Sequence, residues 1–501
     1  MNVPNSILDN LTTWPLLLPE LLIAATIVVI LTLTMSMSQY QDYWLSPITL
    51  AGTFLALCSK YGLVHRLSTH RELFLYNELL VLDPSVIFFC LLLISITLLL
   101  LCLNTQRTYI SSNKTHQPIY VVLLLGTLLG SCLLVMAWHW LTVYLSMTLL
   151  SLGSALLLGA YTTPKSVETS LKYWLYSMAT TAVMLWGMSY FYSFMGTLSL
   201  GQVSWEPNVP CISEFSLLAT LLLCLSSILF VSAVTPYHFV VPDVYQGASA
   251  TIVAFLSTVP RLASIAFLLR FLNQCLPQLG LVIQTYSQQG LAILGILTIL
   301  VGNTAALLQN NIQRMMAYGS IAQGGLLIAG IVASTVSPLG ILYYSAVYGV
   351  MGVAAWLGIR LLQQYLTTTE ICLRHCGELG KKFPILGGGI TVVMLSLIGL
   401  PPTAGFVGKT ILFMALWEQV QHTGSLVFAA LLVASCLSTV LSLHYYLKLP
   451  YQLFCGTTQP SIHTSQVNRT EQVVFIGLVL LLLMGFFTAS STIKIISNWS
   501  R

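Results

Sequence analysis

Apolar runs of about twenty residues, separated by short polar stretches, follow one another from Trp14 almost to the C-terminus. Each is long enough to cross a ~30 Å hydrocarbon core as a helix, which takes roughly 20 residues, and about fourteen can be drawn. They lie near 14–36, 44–64, 79–103, 118–138, 139–161, 169–193, 216–239, 248–272, 289–308, 316–335, 338–364, 384–421, 424–449 and 472–494. The polar stretches around 60–78, 104–117, 194–215, 365–383 and 450–471 are loop-sized, so the chain reads as one all-α polytopic membrane domain. The first run lacks the basic flank of a cleaved signal and is long enough to remain as an anchor.

Two spans are interrupted from within, the seventh by Thr235-Pro236-Tyr237-His238 and the twelfth by Leu400-Pro401-Pro402-Thr403-Ala404-Gly405. Proline removes a helix hydrogen bond and frees carbonyls, which in a bilayer must be satisfied by neighbouring protein or by water. A break therefore implies a polar cavity. Two breaks five spans apart match transporters built from two inverted five-helix halves around a midplane ion site, against the plainer reading of two kinked, packed helices.

Composition sharpens the picture: of 501 residues, 56% are hydrophobic and 7% charged, where soluble domains carry about a quarter. The net charge of +5 belongs mostly to loops and describes topology rather than a nucleic-acid partner. An external N-terminus puts Arg107, Lys114, Lys165, Arg314, Arg374, Lys381, Lys382, Lys448 and Arg469 on the cytoplasmic side, as the positive-inside rule favours; Lys60, Arg66 and Arg71 run against it. The eleven cysteines are mostly scattered singly through apolar runs as small hydrophobes. Cys372 and Cys376 around His375 lack the second pair that a zinc site needs, so no metal or cluster framework is expected.

Ionisable groups within spans are costly and mark ion pathways unless they pair or snorkel. Lys172 lies close to a helix start and fits either a pathway residue or an interface anchor. Arg261, after Pro260, is too deep to snorkel and keeps its charge, so it can set an electrostatic barrier or hold a carboxylate. Lys409, just past the second break, can exchange protons if desolvation disfavours its charged form, and His238 adjoins the first break. His139 reads as a packing residue, with His444 the third histidine able to titrate near neutrality. Glu20 and Asp83 each flank a proline near a helix start and are expected to cap exposed amides. No acidic residue stands between Asp83 and Glu168, so spans four and five offer Lys172 no carboxylate.

TPYHFVVPDVYQGASATIVAFLSTVPRLA at 235–263, GNTAALLQNNIQRMMAYGSIAQGG at 302–325 and LSLIGLPPTAGFVGKTILF at 395–413 together resemble the N subunit of respiratory complex I, called subunit 2 in mitochondria and chloroplasts. VETSLKYW at 167–174 and YSFMGTLSL at 192–200 match more weakly, and the resemblance runs from LLLPELLIAA to SLHYYLKLPYQLF. It implies fourteen helices, with helices 1–3 over 1–117, inverted repeats over 118–274 and 275–450, and a last helix over 451–501. It also implies a central polar axis carrying protons, driven by quinone reduction elsewhere. By motif, the helix 6 and helix 12 lysines are Lys172 and Lys409, and the helix 8 lysine position holds Arg261. The helix 5 glutamate is replaced by Thr148, the lysine before the helix 7 break by Val231, and the helix 10 histidine by Gln323.

Neither Thr148 nor Val231 can carry a charge, so this copy is either a spacer with respect to pumping or conducts through water and its remaining groups. Lys409, Arg261, Tyr318, Gln323 and Asn303 are expected to share a hydrated axis. The chain shows no haem, flavin, nucleotide or cluster motif, and the glycine of GNTAAL relieves helix packing rather than cradling phosphate. The resemblance places quinone, NADH or ferredoxin, FMN and iron–sulfur clusters in partner subunits. It implies antiporter-like and small quinone-proximal membrane subunits as partners beside lipid, in a bacterial cell membrane or a thylakoid rather than an organellar membrane. A subunit of a multisubunit cation/proton antiporter and a structural scaffold are the competing readings.

Overall fold

A computed structural model describes residues 14–36, 41–67, 73–104, 117–160, 164–201, 214–366, 371–456 and 468–497. The loop charges Arg71, Arg107 and Lys114, and the side chain of Arg66, lie outside them.

Among the described residues the extended regular structure is helical apart from one hairpin, because only helices and closed barrels satisfy every backbone group in lipid. Its helices are α1 (Leu18–Ser36), α2 (Gln41–Leu67), α3 (Pro84–Asn104), α4 (Gln117–Met136), α5 (Trp140–Gly159), α6 (Pro164–Met195), α7 (Glu214–Val231), the short α8 (Val241–Gly247) and α9 (Ala250–Arg270). There follow α10 (Leu281–Leu307), α11 (Ile312–Ala333), α12 (Leu339–Leu366), α13 (Pro384–Ile398), α14 (Ala404–Thr423), α15 (Leu426–Cys455), α16 (Arg469–Phe487) and α17 (Ala489–Ser497).

Twelve of these segments are long and apolar enough to cross a membrane. The two remaining spans read from the sequence are α6, which is 32 residues long, and the interrupted pair α13 and α14. The third span starts at Pro84 rather than 79, because Leu73–Leu75 and Leu80–Leu82 form an antiparallel hairpin, β1 and β2, ahead of it. The last span ends at Phe487, and α17 is a separate helix.

Lys60 is the clearest departure from the sequence reading. It lies inside α2, fully buried, with its ammonium 2.5 Å from the carboxylate of Glu20 in the first turn of α1. One apparent exception to the positive-inside pattern is therefore half of a buried ion pair between two helices. The carboxylate expected to cap α1 serves instead as a counter-ion.

The chain divides into two compact units, Met1–Val231 with Val259–Gln284, and Ser232–Thr258 with Thr285–Ser500. Within the first, consecutive helices α1 to α7 pack on one another and α1 also packs on α4. His139 caps α5, its Nδ1 accepting from the Leu141 amide at 3.1 Å, in keeping with a structural role. Within the second, α12 packs on α13, α14 and α16, and α14 packs on α11 and α15. Asn311 caps α11 by accepting from the Gln313 and Arg314 amides. Gly302 does relieve packing: a Cβ there would come within 2.6 Å of the Ala322 backbone nitrogen.

Candidate proton-transfer site

The second unit holds a broken helix whose last carbonyls, Leu395 to Ile398, all find donors. α13 stops at Ile398, and Gly399 adopts the left-handed conformation at φ 85° that suits glycine beyond a helix end. The carbonyls of Leu395 and Ser396 accept from the amides of Gly399 and Leu400. Those of Leu397 and Ile398 have no backbone donor to spare, and Lys409 supplies one: its Nζ donates to them at 2.8 and 2.9 Å. The chain returns through Pro401-Pro402 into α14, where Gly405 lies so close to α13 that a Cβ would fall 1.9 Å from the Ser396 carbonyl oxygen. That contact is why α14 can bring Lys409 over the end of α13.

Lys409 is 2% exposed, and among the described residues no carboxylate pairs with it. Its charge rests on the negative end of the α13 dipole, worth up to about 2 kcal/mol in partly buried geometry. Desolvation of a buried ion costs several kcal/mol. An ammonium compensated only by carbonyl dipoles can give up its proton to a water or hydroxyl partner, because no counter-charge is stranded when it does.

Such partners are adjacent. Gln323 Nε2 donates to the same Leu397 carbonyl at 3.0 Å, and the Tyr344 hydroxyl donates to Gln323 Oε1. The Tyr446 hydroxyl lies within hydrogen-bonding reach of Gln323, and Tyr445 packs against Tyr446 with ring centroids 4.4 Å apart. Tyr445 donates to Asn303 Oδ1 at 3.2 Å, and Asn303 Nδ2 donates to Ser438 Oγ at 2.9 Å. Tyr348 donates to the Ser257 carbonyl at 3.0 Å. Lys409, Gln323 and Asn303, singled out from the sequence, thus meet in one buried network.

Tyrosines 344, 348, 445 and 446 are what the sequence reading missed. The signal was present, in hydroxyl aromatics at i and i+4 in YYSAVY and paired in SLHYYLK, on otherwise apolar helices. Tyr318 is half-buried, and no hydrogen bond joins it to the network among the described residues. His444, beside Tyr445, is exposed.

At the first break, the Thr235 amide donates to Thr298 Oγ1 at 3.1 Å, and the two hydroxyls lie 3.0 Å apart. His238 follows in a single 3-10 turn, Tyr237–Val240; it is 9% exposed, and its Nδ1 has no hydrogen-bond partner among the described residues. Two motif segments also meet here: Arg314 donates to Gln246 Oε1 at 3.1 Å and pairs with Asp243 at 3.4 Å.

The predicted relay residues Lys172, Thr148, Val231 and Arg261 belong to the first unit. Lys172 is half-exposed and pairs at 2.7 Å with Glu168, one turn back on its own helix. That partner was legible in the sequence at i, i−4 and was overlooked. The Thr148 hydroxyl folds back onto its own helix, donating to the Leu145 carbonyl at 2.9 Å. Val231 is the half-buried last residue of α7. Arg261 is buried, 1% exposed, in α9.

Residues 137–438 match the model of the NADH:quinone oxidoreductase/Mrp antiporter transmembrane family, which is more than half of the chain. The chain belongs to that family. Among the curated members of this antiporter-type family, NADH-quinone oxidoreductase subunit N of Ruthia magnifica is 29% identical over 489 residues, covering 96% of each chain. NAD(P)H-quinone oxidoreductase subunit 2 of Synechococcus sp. (strain JA-3-3Ab) is 34% identical, covering 73% of this chain and 67% of its own. Among solved members, a chain of respiratory complex I from Thermus thermophilus, determined with bound aureothin, superposes with a TM-score of 0.77 at 26% identity, over 95% of this chain and 98% of that one. The antiporter-type fold and the multi-pass membrane character follow from these matches and from the twelve apolar helices.

Proposed function

We propose that the chain is the N-type membrane-arm subunit of a proton-translocating quinone oxidoreductase, and that its proton route lies in its second half. The observation that carries this reading is Lys409, buried on the open end of α13 and linked through the Leu397 carbonyl to Gln323 and a set of buried tyrosines. Near-full-length likeness to subunits named for NADH-quinone oxidoreductase supports the assembly. In that setting NADH or ferredoxin, quinone, FMN and iron–sulfur clusters belong to partner subunits, and the membrane is a bacterial cell membrane or a thylakoid. The first half, with Thr148 and Val231 at two relay positions, is not a conductor by the usual residues.

In this half the chain performs a proton hand-over without redox chemistry of its own. Lys409 Nζ releases a proton to water or a tyrosine-bonded site and takes one back from the other side, while Gln323 and the α13 carbonyls hold the side chain in place.

The test begins with purification of the chain from its native membranes in mild detergent, identification of its companions and assay of quinone reduction. Iron–sulfur and quinone-site companions with activity support the reading; antiporter-type membrane companions without redox activity would overturn it in favour of a cation/proton antiporter. In the active complex, Lys409→Ala is expected to lower proton flux. Assembly, quinone reduction and flux all at wild-type levels would remove Lys409 from the pathway.

A further inference from the structure

Although Thr148 and Val231 leave the first unit without two usual relay residues, among its described residues it buries four charged side chains besides Arg261. Lys60 is 0% and Glu20 5% exposed, and their contact is 2.5 Å between Nζ and Oε1. Among the described residues Lys60 Nζ has one further hydrogen-bond partner, a weak one, Met136 Sδ at 3.7 Å. Glu20 Oε2 is buried with no hydrogen-bond partner among the described residues. A pair serving only to lock helices together would be expected to satisfy both oxygens; a bare carboxylate oxygen is a place for a proton.

Two further buried charges, Asp83 and Arg270, lie within electrostatic reach of each other. Asp83 is 3% and Arg270 5% exposed. Asp83 Oδ2 accepts from Gln274 Nε2 at 3.2 Å; Arg270 donates to the Ala137 carbonyl and lies 5.6 Å over the Trp138 ring. Beside them are the buried thiols of Cys90 and Cys132, both within electrostatic reach of Lys60 and Glu20, and Cys90 also of Arg270. Asp83, Cys90 and Thr97 recur every seventh residue, which places them along one face of α3 and its N-cap.

Gln274 also lines a cavity of about 260 Å³, together with Phe74, Glu78, Trp138, Gly201 and Gln278. The cavity lies just past the ends of α4 and α6 and ahead of α3, beside the end of the apolar segment Ala250–Leu279 that follows from α9. Trp138 Nε1 is buried there without a protein partner among the described residues, and a Cβ at Gly201 would come within 2.4 Å of it. A space of this size, lined by a carboxylate and two amides, suits several waters at ~30 Å³ each.

We propose that Glu20 and Lys60 form a second proton-exchange site, reached by water from this cavity past Asp83 and the Cys90–Cys132 thiols. The proposal rests on the reading of the chain as a proton-translocating subunit. An N–H bond of Lys60 breaks as an O–H bond forms on the Glu20 carboxylate, leaving a neutral amine and a neutral acid. The amine then takes a proton from a hydronium ion arriving through the cavity, which is left as water. The acid releases its proton to another water and the ion pair is restored. One proton enters, one leaves, and no other reactant is consumed.

The experiment uses the intact complex in sealed vesicles, with quinone reduction and proton flux measured together. The double variant Glu20→Gln with Lys60→Met removes both charges without stranding either, and Lys60→Arg keeps the pair but holds its proton. Both are expected to assemble and to lose proton flux per quinone reduced at unchanged quinone turnover. Wild-type flux in either variant makes the pair structural and overturns the proposal. If the wild-type complex itself moves no protons, it is the reading of the chain that fails instead.

Discussion

Lys409 and Gln323 meet at one atom: both donate to the carbonyl oxygen of Leu397, at 2.8 and 3.0 Å. A carbonyl freed by a broken helix thereby joins the titratable residue of α14 to the polar face of α11. The break is thus more than a kink, because the groups it exposes are those that hold the site together.

Lys409→Arg separates holding from exchanging. Arginine can still donate to Leu397 and Ile398 but does not release its proton. Assembly and quinone reduction are expected to persist while proton flux falls. Lys409→Ala in addition leaves the buried Ile398 carbonyl without its donor, at about 1–3 kcal/mol, while the Leu397 carbonyl keeps Gln323; a lower melting temperature in detergent should accompany its loss of flux.

Gln323→Leu removes the link between Lys409 and the tyrosines, with the Tyr344 hydroxyl losing its acceptor. Slower proton flux is expected in a complex that assembles normally. Flux equal to wild type would show that water alone carries the connection.

Gly405→Ala tests the geometry of the break. The added methyl would lie 1.9 Å from the Ser396 carbonyl oxygen, a backbone atom that cannot step aside. α14 must then move off α13 and take Lys409 with it. Native gel electrophoresis should show reduced or absent assembly, and a fully assembled, pumping complex would contradict the packing described.

Arg360 and Glu471 are 3% and 0% exposed and 2.5 Å apart, joining α12 to α16, with Gln364 donating to the second carboxylate oxygen at 2.9 Å. Glu471→Gln strips counter-charge from a buried guanidinium, a change costing roughly 3–5 kcal/mol. Thermal unfolding in detergent should register it. Replacing both residues by apolar ones of similar size should cost less than the single change.

Lys172→Met provides the contrast. The Lys172–Glu168 pair is half-exposed and local to one helix, and pairs of that kind contribute little. Proton flux and melting temperature are expected to stay at wild-type values. A large loss of flux would return Lys172 to the pathway.

The sequence by itself determined the membrane, the helices and the breaks. Apolar runs of that length admit only spanning helices, and Pro236 and Pro401-Pro402 cannot sit in an unbroken hydrogen-bond ladder, so these features are local consequences of residue type. It also marked Lys409, Gln323 and Asn303, because polar groups within apolar runs are rare enough to read singly. What α13 ends against, and that Lys409 reaches back twelve residues to satisfy it, depends on the close approach permitted by Gly405. The same holds for Lys60, which looks like a loop charge until α1 brings Glu20 beside it. Tyr344, Tyr446 and Asn303 come from three different helices, and no spacing along the chain encodes a meeting among them. Pairings between distant segments are set by how helices pack, and packing is the property of the whole chain that a reading by local period does not contain.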